Sequence, residues 1–185
     1  MNLDKYKDDF SKIIKDSTGF EPVINGNVSV SFFPYPNLII GGINIQNIEG
    51  ATSPDIFSAD GVEVKFTFES FLKGKLKPSS ITLLRPHVEL EKMENGDKNW
   101  VKLLKKDEKG SDAKILNIPL KIIIKNGIVT YRANSSKFTL DYISAKLNTV
   151  SAQGPFTFYG DFQQGAVPVK FKGNIGNLSD NAEAN

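Results

Sequence analysis

Imidazole and carboxylate groups carry most proton chemistry near neutral pH, and this sequence holds one histidine, His87, against 21 Asp and Glu residues. A single imidazole excludes His-rich metal sites and any relay that needs a second one. His87 follows Pro86 inside an alternating stretch and reads as an ordinary strand residue. The carboxylate pairs Asp8/Asp9 and Glu89/Glu91 are consecutive or alternate residues on wet faces, whereas a glycosidase-type pair must face itself across a cleft. No Asp-x-Asp-x-Asp-Gly loop is present. "GGIN" at 41–44 and "GKLK" at 74–77 lack the strand-to-helix context of a phosphate loop; Gly41 and Gly42 read instead as a bulge. With no cysteine, disulfide, thiolate-metal and thiol-nucleophile chemistry are excluded. The expectation is a protein that is not an enzyme and takes no cofactor or metal.

The chain is 185 residues, 39% hydrophobic and 24% charged, which fits one domain with a real core. A net charge of +2 with scattered lysines argues against nucleic acid as a partner. No run of 18 apolar residues spans a membrane, and "MNLDKYKDDF" is not a signal peptide. The sequence opens directly into a helix and ends in the polar tail "SDNAEAN", so both ends are expected to continue in a longer protein.

Tyr6, Phe10, Ile13 and Ile14 make an apolar stripe at helical spacing, with Asp4 as N-cap and Gly19 as stop, predicting one amphipathic helix over 4–17. From residue 20 the period changes from 3.6 to 2. "GVEVKFTFES" alternates most cleanly, with Val62, Val64, Phe66 and Phe68 on one side. About ten such strands follow one another through turn-rich linkers, and Asn-Gly in "IIKNGIVTY" signals a hairpin. "ESFLKGKL" and "WVKLLKK" each suggest a turn or two of helix, and "DEKGSDAK" a loop.

Short turns favour antiparallel neighbours, so the expected fold is mainly β, an antiparallel meander with one N-terminal helix. A helix roughly 21 Å long does not cover ten strands spanning roughly 48 Å. The remaining apolar face must close into a barrel, pack as a sandwich, or stay open as a trough for an apolar ligand. Periodicity does not rank the three.

Three pieces in order carry a family likeness. They are "DSTGFEPVINGNVSVSFFPYPNLIIGGINIQN", then "FSADGVEVKFTFESFLKGKLKPSSITLLRPHVEL", then "ENGDKNW" with its Gly-x-x-Asn-Trp. Together, over residues 10 to 105, they resemble the N-terminal region of the AsmA family of bacterial envelope proteins, TamB- and YhdP-like members included. Residues 106–178 match only in style. The resemblance implies a curved, taco-shaped β-groove, with the Asn-Trp pair closing the first block and Trp100 capping the sheet end. It implies a single domain over 1–178: helix 1–19, first strand block 20–105, loop 106–114 and second block 115–178, followed by a polar tail at 179–185.

The resemblance further implies an anchor in the inner membrane preceding this chain, a periplasmic location, and phospholipid handling between membranes for outer-membrane biogenesis. A groove lined by Val28, Val30, Phe32, Ile43, Ile45, Val62, Val64, Phe66, Phe68, Leu83, Leu90, Ile122, Ile124 and Phe158 would offer acyl chains no hydrogen-bond partner, only burial. The competing expectation is a packed β core that serves as an assembly scaffold, with an envelope protein docked at the sheet edge through "VPVKFKGNI".

Overall fold

The computed structural model describes residues 4, 7–8, 11–12, 15, 21–69, 73, 78–101, 120–151 and 154–177. Ten strands lie in one sheet: β1 (Pro22–Ile24), β2 (Val28–Ser31), β3 (Asn37–Gln46), β4 (Asp55–Phe66), β5 (Pro78–Leu84), β6 (His87–Lys92), β7 (Leu120–Ala133), β8 (Ser136–Thr149), β9 (Phe156–Gln164) and β10 (Val167–Ile175). β1 and β2 lie end to end along β3, and β5 and β6 lie end to end between β4 and β7. Ten strands thus fill eight lateral positions. At about 4.8 Å per step the outer strands are roughly 34 Å apart, narrower than ten strands side by side.

The sheet is mixed, which corrects the expected all-antiparallel meander. β5 and β6 run parallel to β7, while every other pairing is antiparallel. Residues 93 to 119 separate β6 from β7, long enough to return the chain to the far end of the sheet, as a parallel neighbour requires. The Asn-Gly hairpin is also corrected. Asn126 and Gly127 lie inside β7, where Asn126 takes φ 54° and the register with β8 shifts. The preference for a left-handed residue is real, but here it makes a bulge rather than a reversal.

The predicted apolar stripe of the N-terminal helix, the segments 70–72, 74–77 and 102–119, and the tail lie outside the described residues. At the chain's start, the Asp4 carboxylate accepts a 2.7 Å hydrogen bond from Val28 N–H, and Lys15 pairs with Glu21 at 2.7 Å.

The Asn-Trp pair divides its work unequally. Asn99 is 1% exposed. Its Oδ1 accepts from Glu91 N–H at 2.8 Å, and its Nδ2 donates to the Glu89 carbonyl at 2.8 Å and to Asn47 Oδ1 at 3.1 Å. One buried amide therefore ties β6 to the β3–β4 connection. Trp100 packs half-buried on Tyr131, with ring centroids 5.9 Å apart, and Lys98 sits over its indole. Removing the amide leaves Glu91 N–H and the Glu89 carbonyl without it in a dry site. Asn99→Ala is therefore expected to destabilise the fold by about 2–4 kcal/mol, and Trp100→Phe by less than half of that. Urea titrations of both variants check the ranking.

Candidate functional site

Side chains alternate faces along a strand, and residues paired across neighbouring strands share a face. Following the pairs, Val30, Leu38, Val64, Ile81, Ile122, Leu147 and Phe158 form one transverse row. Val28, Ile40, Val62, Leu83, Ile124 and Ala145 form the next, ending at Gly160 and Phe171. A third row runs Pro22, Ile45, Phe57, Val88, Val129 and Leu140.

Simple alternation would put that third row on the opposite face, since Ile45 and Ile40, or Phe57 and Val62, are an odd number of residues apart. The phase reverses along one line across the sheet. Gly42 takes φ 58°, Arg85 φ 44°, Asn126 φ 54° and Tyr142 φ 52°. These lie in β3, between β5 and β6, in β7 and in β8. In β7 and β8 the register shifts mark one extra residue each, and β9, which stays regular, counts one extra residue in β8. β4 has no positive φ on this line, and its phase follows from the pairing of Phe57 with Ile45 and Val88. Beyond the line, Ile43, Ile45, Phe57, Val88, Leu90, Val129 and Leu140 return to the face of Val62 and Ile124. The line is a crease that keeps one apolar face continuous.

The crease is fixed by backbone bonds. Arg85 N–H donates to the Lys125 carbonyl and Ile128 N–H to the Pro86 carbonyl, both at 2.8 Å. Arg85 also pairs with Asp60. At the sheet edge Gly26 N–H donates to the Gly41 carbonyl at 2.7 Å; any Cβ on Gly26 would strike the Gly41 backbone.

The structure therefore brings Val28, Val30, Ile43, Ile45, Val62, Val64, Leu83, Leu90, Ile122, Ile124 and Phe158 to one face. Phe66 ends β4 beyond a register shift. Phe32 and Phe68 lie outside the strands and are exposed. Sequence reading missed Leu38, Ile40, Phe57, Ile81, Val88, Val129, Leu140, Leu147 and Phe171. Leu147 and Phe171 were visible in the alternation of "SAKLNTV" and "VKFKG". Ile40 lay in the unbroken run "LII", which hides its face.

Burial grades along this face. Val28, Ile40, Ile43 and Ala59 are buried, whereas Val62, Val64, Leu83, Ile122, Ile124, Leu147 and Phe158 are half-buried. Toward β10 aromatic rings lie over glycines. A Cβ on Gly173 would strike the Phe158 ring, and one on Gly160 would come within 2.9 Å of Phe171. Phe158, Phe171 and Phe162 step diagonally at 6.3 and 6.0 Å between centroids, and Phe158 and Phe171 each shield the backbone a glycine leaves bare.

The opposite face carries polar pairs. Glu89, 8% exposed, meets His87 Nε2 at 3.1 Å and Arg132 Nε at 3.4 Å. Thr130 Oγ1 lies 3.2 Å from the same His87 Nε2. A hydroxyl–imidazole–carboxylate relay uses one ring nitrogen for each partner; here both partners share Nε2, and the geometry is that of a structural cluster. Among the described residues no group of three or more His, Cys, Asp or Glu side chains could hold a metal ion, and no helix is long and apolar enough to cross a membrane. The apolar face offers no directional bond, so the interaction it can make is burial of hydrocarbon in proportion to area.

If the crease sets the phase, its left-handed residues should resist branching at Cβ. Asn126→Val is expected to cost about 1–2 kcal/mol, while Asn126→Gly leaves stability unchanged or slightly improved. Equal destabilisation by the two in urea melts would show that φ is not what matters there.

A family model described as the AsmA family matches residues 1–183. No curated protein and no solved structure matches the chain.

Proposed function

The chain belongs to the AsmA family, a family of bacterial envelope proteins, and from that premise we propose that it handles phospholipid in a hydrophobic groove on the periplasmic side of the inner membrane. The observation that carries this reading is the continuous apolar face kept in phase across the crease and left half-buried from β4 to β9. A face meant only to pack a core has no need to stay accessible over that width.

Burial of each methylene is worth about 0.8 kcal/mol, so eight of them supply roughly 6 kcal/mol. That holds an acyl tail without choosing among tails, and it lets the tail slide from one row of side chains to the next. The chain works as one segment of a conduit between membranes, in support of outer-membrane biogenesis, and performs no catalysis of its own.

A second reading has one observation in its favour. Among the described residues the outer edge of β10 has no neighbouring strand, so a strand of another envelope protein could add there. Pro168 removes one donor from that strand and weakens its use as an edge.

Two experiments separate the readings. A photoreactive phospholipid is expected to crosslink at Leu83, Ile124 and Leu147, and Ile124→Asp is expected to lower the phospholipid co-purified per chain by about tenfold or more, since a carboxylate facing hydrocarbon is strongly disfavoured. Crosslinks to protein alone, with Ile124→Asp carrying as much lipid as the parent, would support the scaffold and remove the groove.

A further inference from the structure

The β2–β3 connection reads Phe32-Phe33-Pro34-Tyr35-Pro36, and its three rings are turned outward: Phe32 is 47% exposed, Phe33 88% and Tyr35 59%. The connection that follows β4 adds Phe68 at 52%. The two are held together, because Phe66 N–H donates to the Pro36 carbonyl at 2.9 Å, and the loop is braced by Ser31 Oγ on the Phe33 carbonyl at 3.1 Å. Four exposed aromatic side chains thus occupy one corner, where the edge strand β2 meets the strand ends. The other ends of β3 and β4 join through Asn47-Ile48-Glu49-Gly50-Ala51-Thr52-Ser53-Pro54, a polar turn without an aromatic ring.

From these features we propose that this corner is a bilayer-insertion site, whose rings enter the headgroup–acyl boundary of a phospholipid membrane. The chemistry fits that occupant better than a protein partner. The rings stand on connections at the strand ends, Tyr35 keeps a polar tip for the headgroup level, and aromatic residues favour that zone of a membrane. Among the described residues the nearby lysines are paired, Lys65 with Glu63 at 3.6 Å and Lys73 with Glu69 at 2.5 Å. Attachment therefore comes from insertion and not from attraction to anionic lipid. The corner is continuous with the apolar face, since Val30 and Val64 stand in the row beside it. An acyl chain leaving the bilayer there meets hydrocarbon at once; this last step rests on the groove reading, and membrane insertion itself does not.

The test is co-sedimentation of the chain with phosphatidylethanolamine–phosphatidylglycerol vesicles and with neutral phosphatidylcholine vesicles, at low and high salt. The double variant Phe33→Ser/Tyr35→Ser is compared with Val167→Ser, which alters an exposed apolar residue far from the corner. The parent is expected to bind both vesicle types with little salt dependence. The double variant is expected to lose about tenfold or more in vesicle affinity, with its circular dichroism and its lipid content per chain unchanged, and Val167→Ser to bind as the parent does. Parent-like vesicle binding by the double variant, an equal loss in Val167→Ser, or binding abolished by salt overturns the proposal. So does a dimer that only the double variant loses in sedimentation, which would make the corner a contact between copies. Loss of bound lipid by Ile124→Asp with vesicle binding intact leaves insertion standing and bears on the groove alone.

Discussion

A β-strand turns its side chains to opposite faces at every step, and a single left-handed residue is enough to exchange the two faces from that point on. In a lone strand this would expose an apolar row and bury a polar one. Here the exchange is made in step, at Gly42, Arg85, Asn126 and Tyr142, and β4 keeps pace through its pairing with these neighbours. The coordination is what matters: if one strand failed to switch, its apolar residues beyond the crease would face the Glu89 cluster. The apolar face, and any function built on it, depends on that shared phase.

The interactions securing this arrangement differ greatly in weight. The Arg85–Asp60 pair bridges the crease, yet its side chains are 70% and 54% exposed, and pairs so solvated contribute about 0–1 kcal/mol. Asn99 makes three hydrogen bonds where water is excluded, and buried amides of that kind stabilise more. The backbone bonds from Arg85 and Ile128 hold the crease whatever the side chains do. The geometry is therefore set by main chain and by one buried amide, and the surface charges contribute mostly solubility.

The strands were legible because their alternation survives locally: "GVEVKFTFES" and "VPVKFKGNI" can hardly be read otherwise. Which strands share a face was not legible across the crease. Odd spacing between Phe57 and Val62 suggests opposite faces until the phase change is known, and Asn126-Gly127 announces a positive φ without saying whether the chain reverses or merely bulges. The parallel alignment of β5 and β6 with β7 was hidden for another reason. Chain direction depends on where residues 93–119 travel, and local pattern carries no record of that path. Trp100 drew attention by its rarity, while Asn99 beside it, of a common type, supplies the hydrogen bonds.

The parallel seam also orders the assembly of the molecule. Each of its pairs joins residues 41 positions apart, as Ser80 with Lys121 and Lys92 with Ala133, whereas the turn between β7 and β8 brings Ala133 to Ser136. Loop closure grows only slowly with length, by about 0.6 kcal/mol per doubling, so the seam is affordable at equilibrium. In time it is the slow step, because non-local pairing waits on a long search. Residues 22–92 and 120–177 can each zip through local hairpins before they meet. Until they do, β7 presents a bare edge to any other chain, and a newly made molecule is most prone to wrong pairing at that stage.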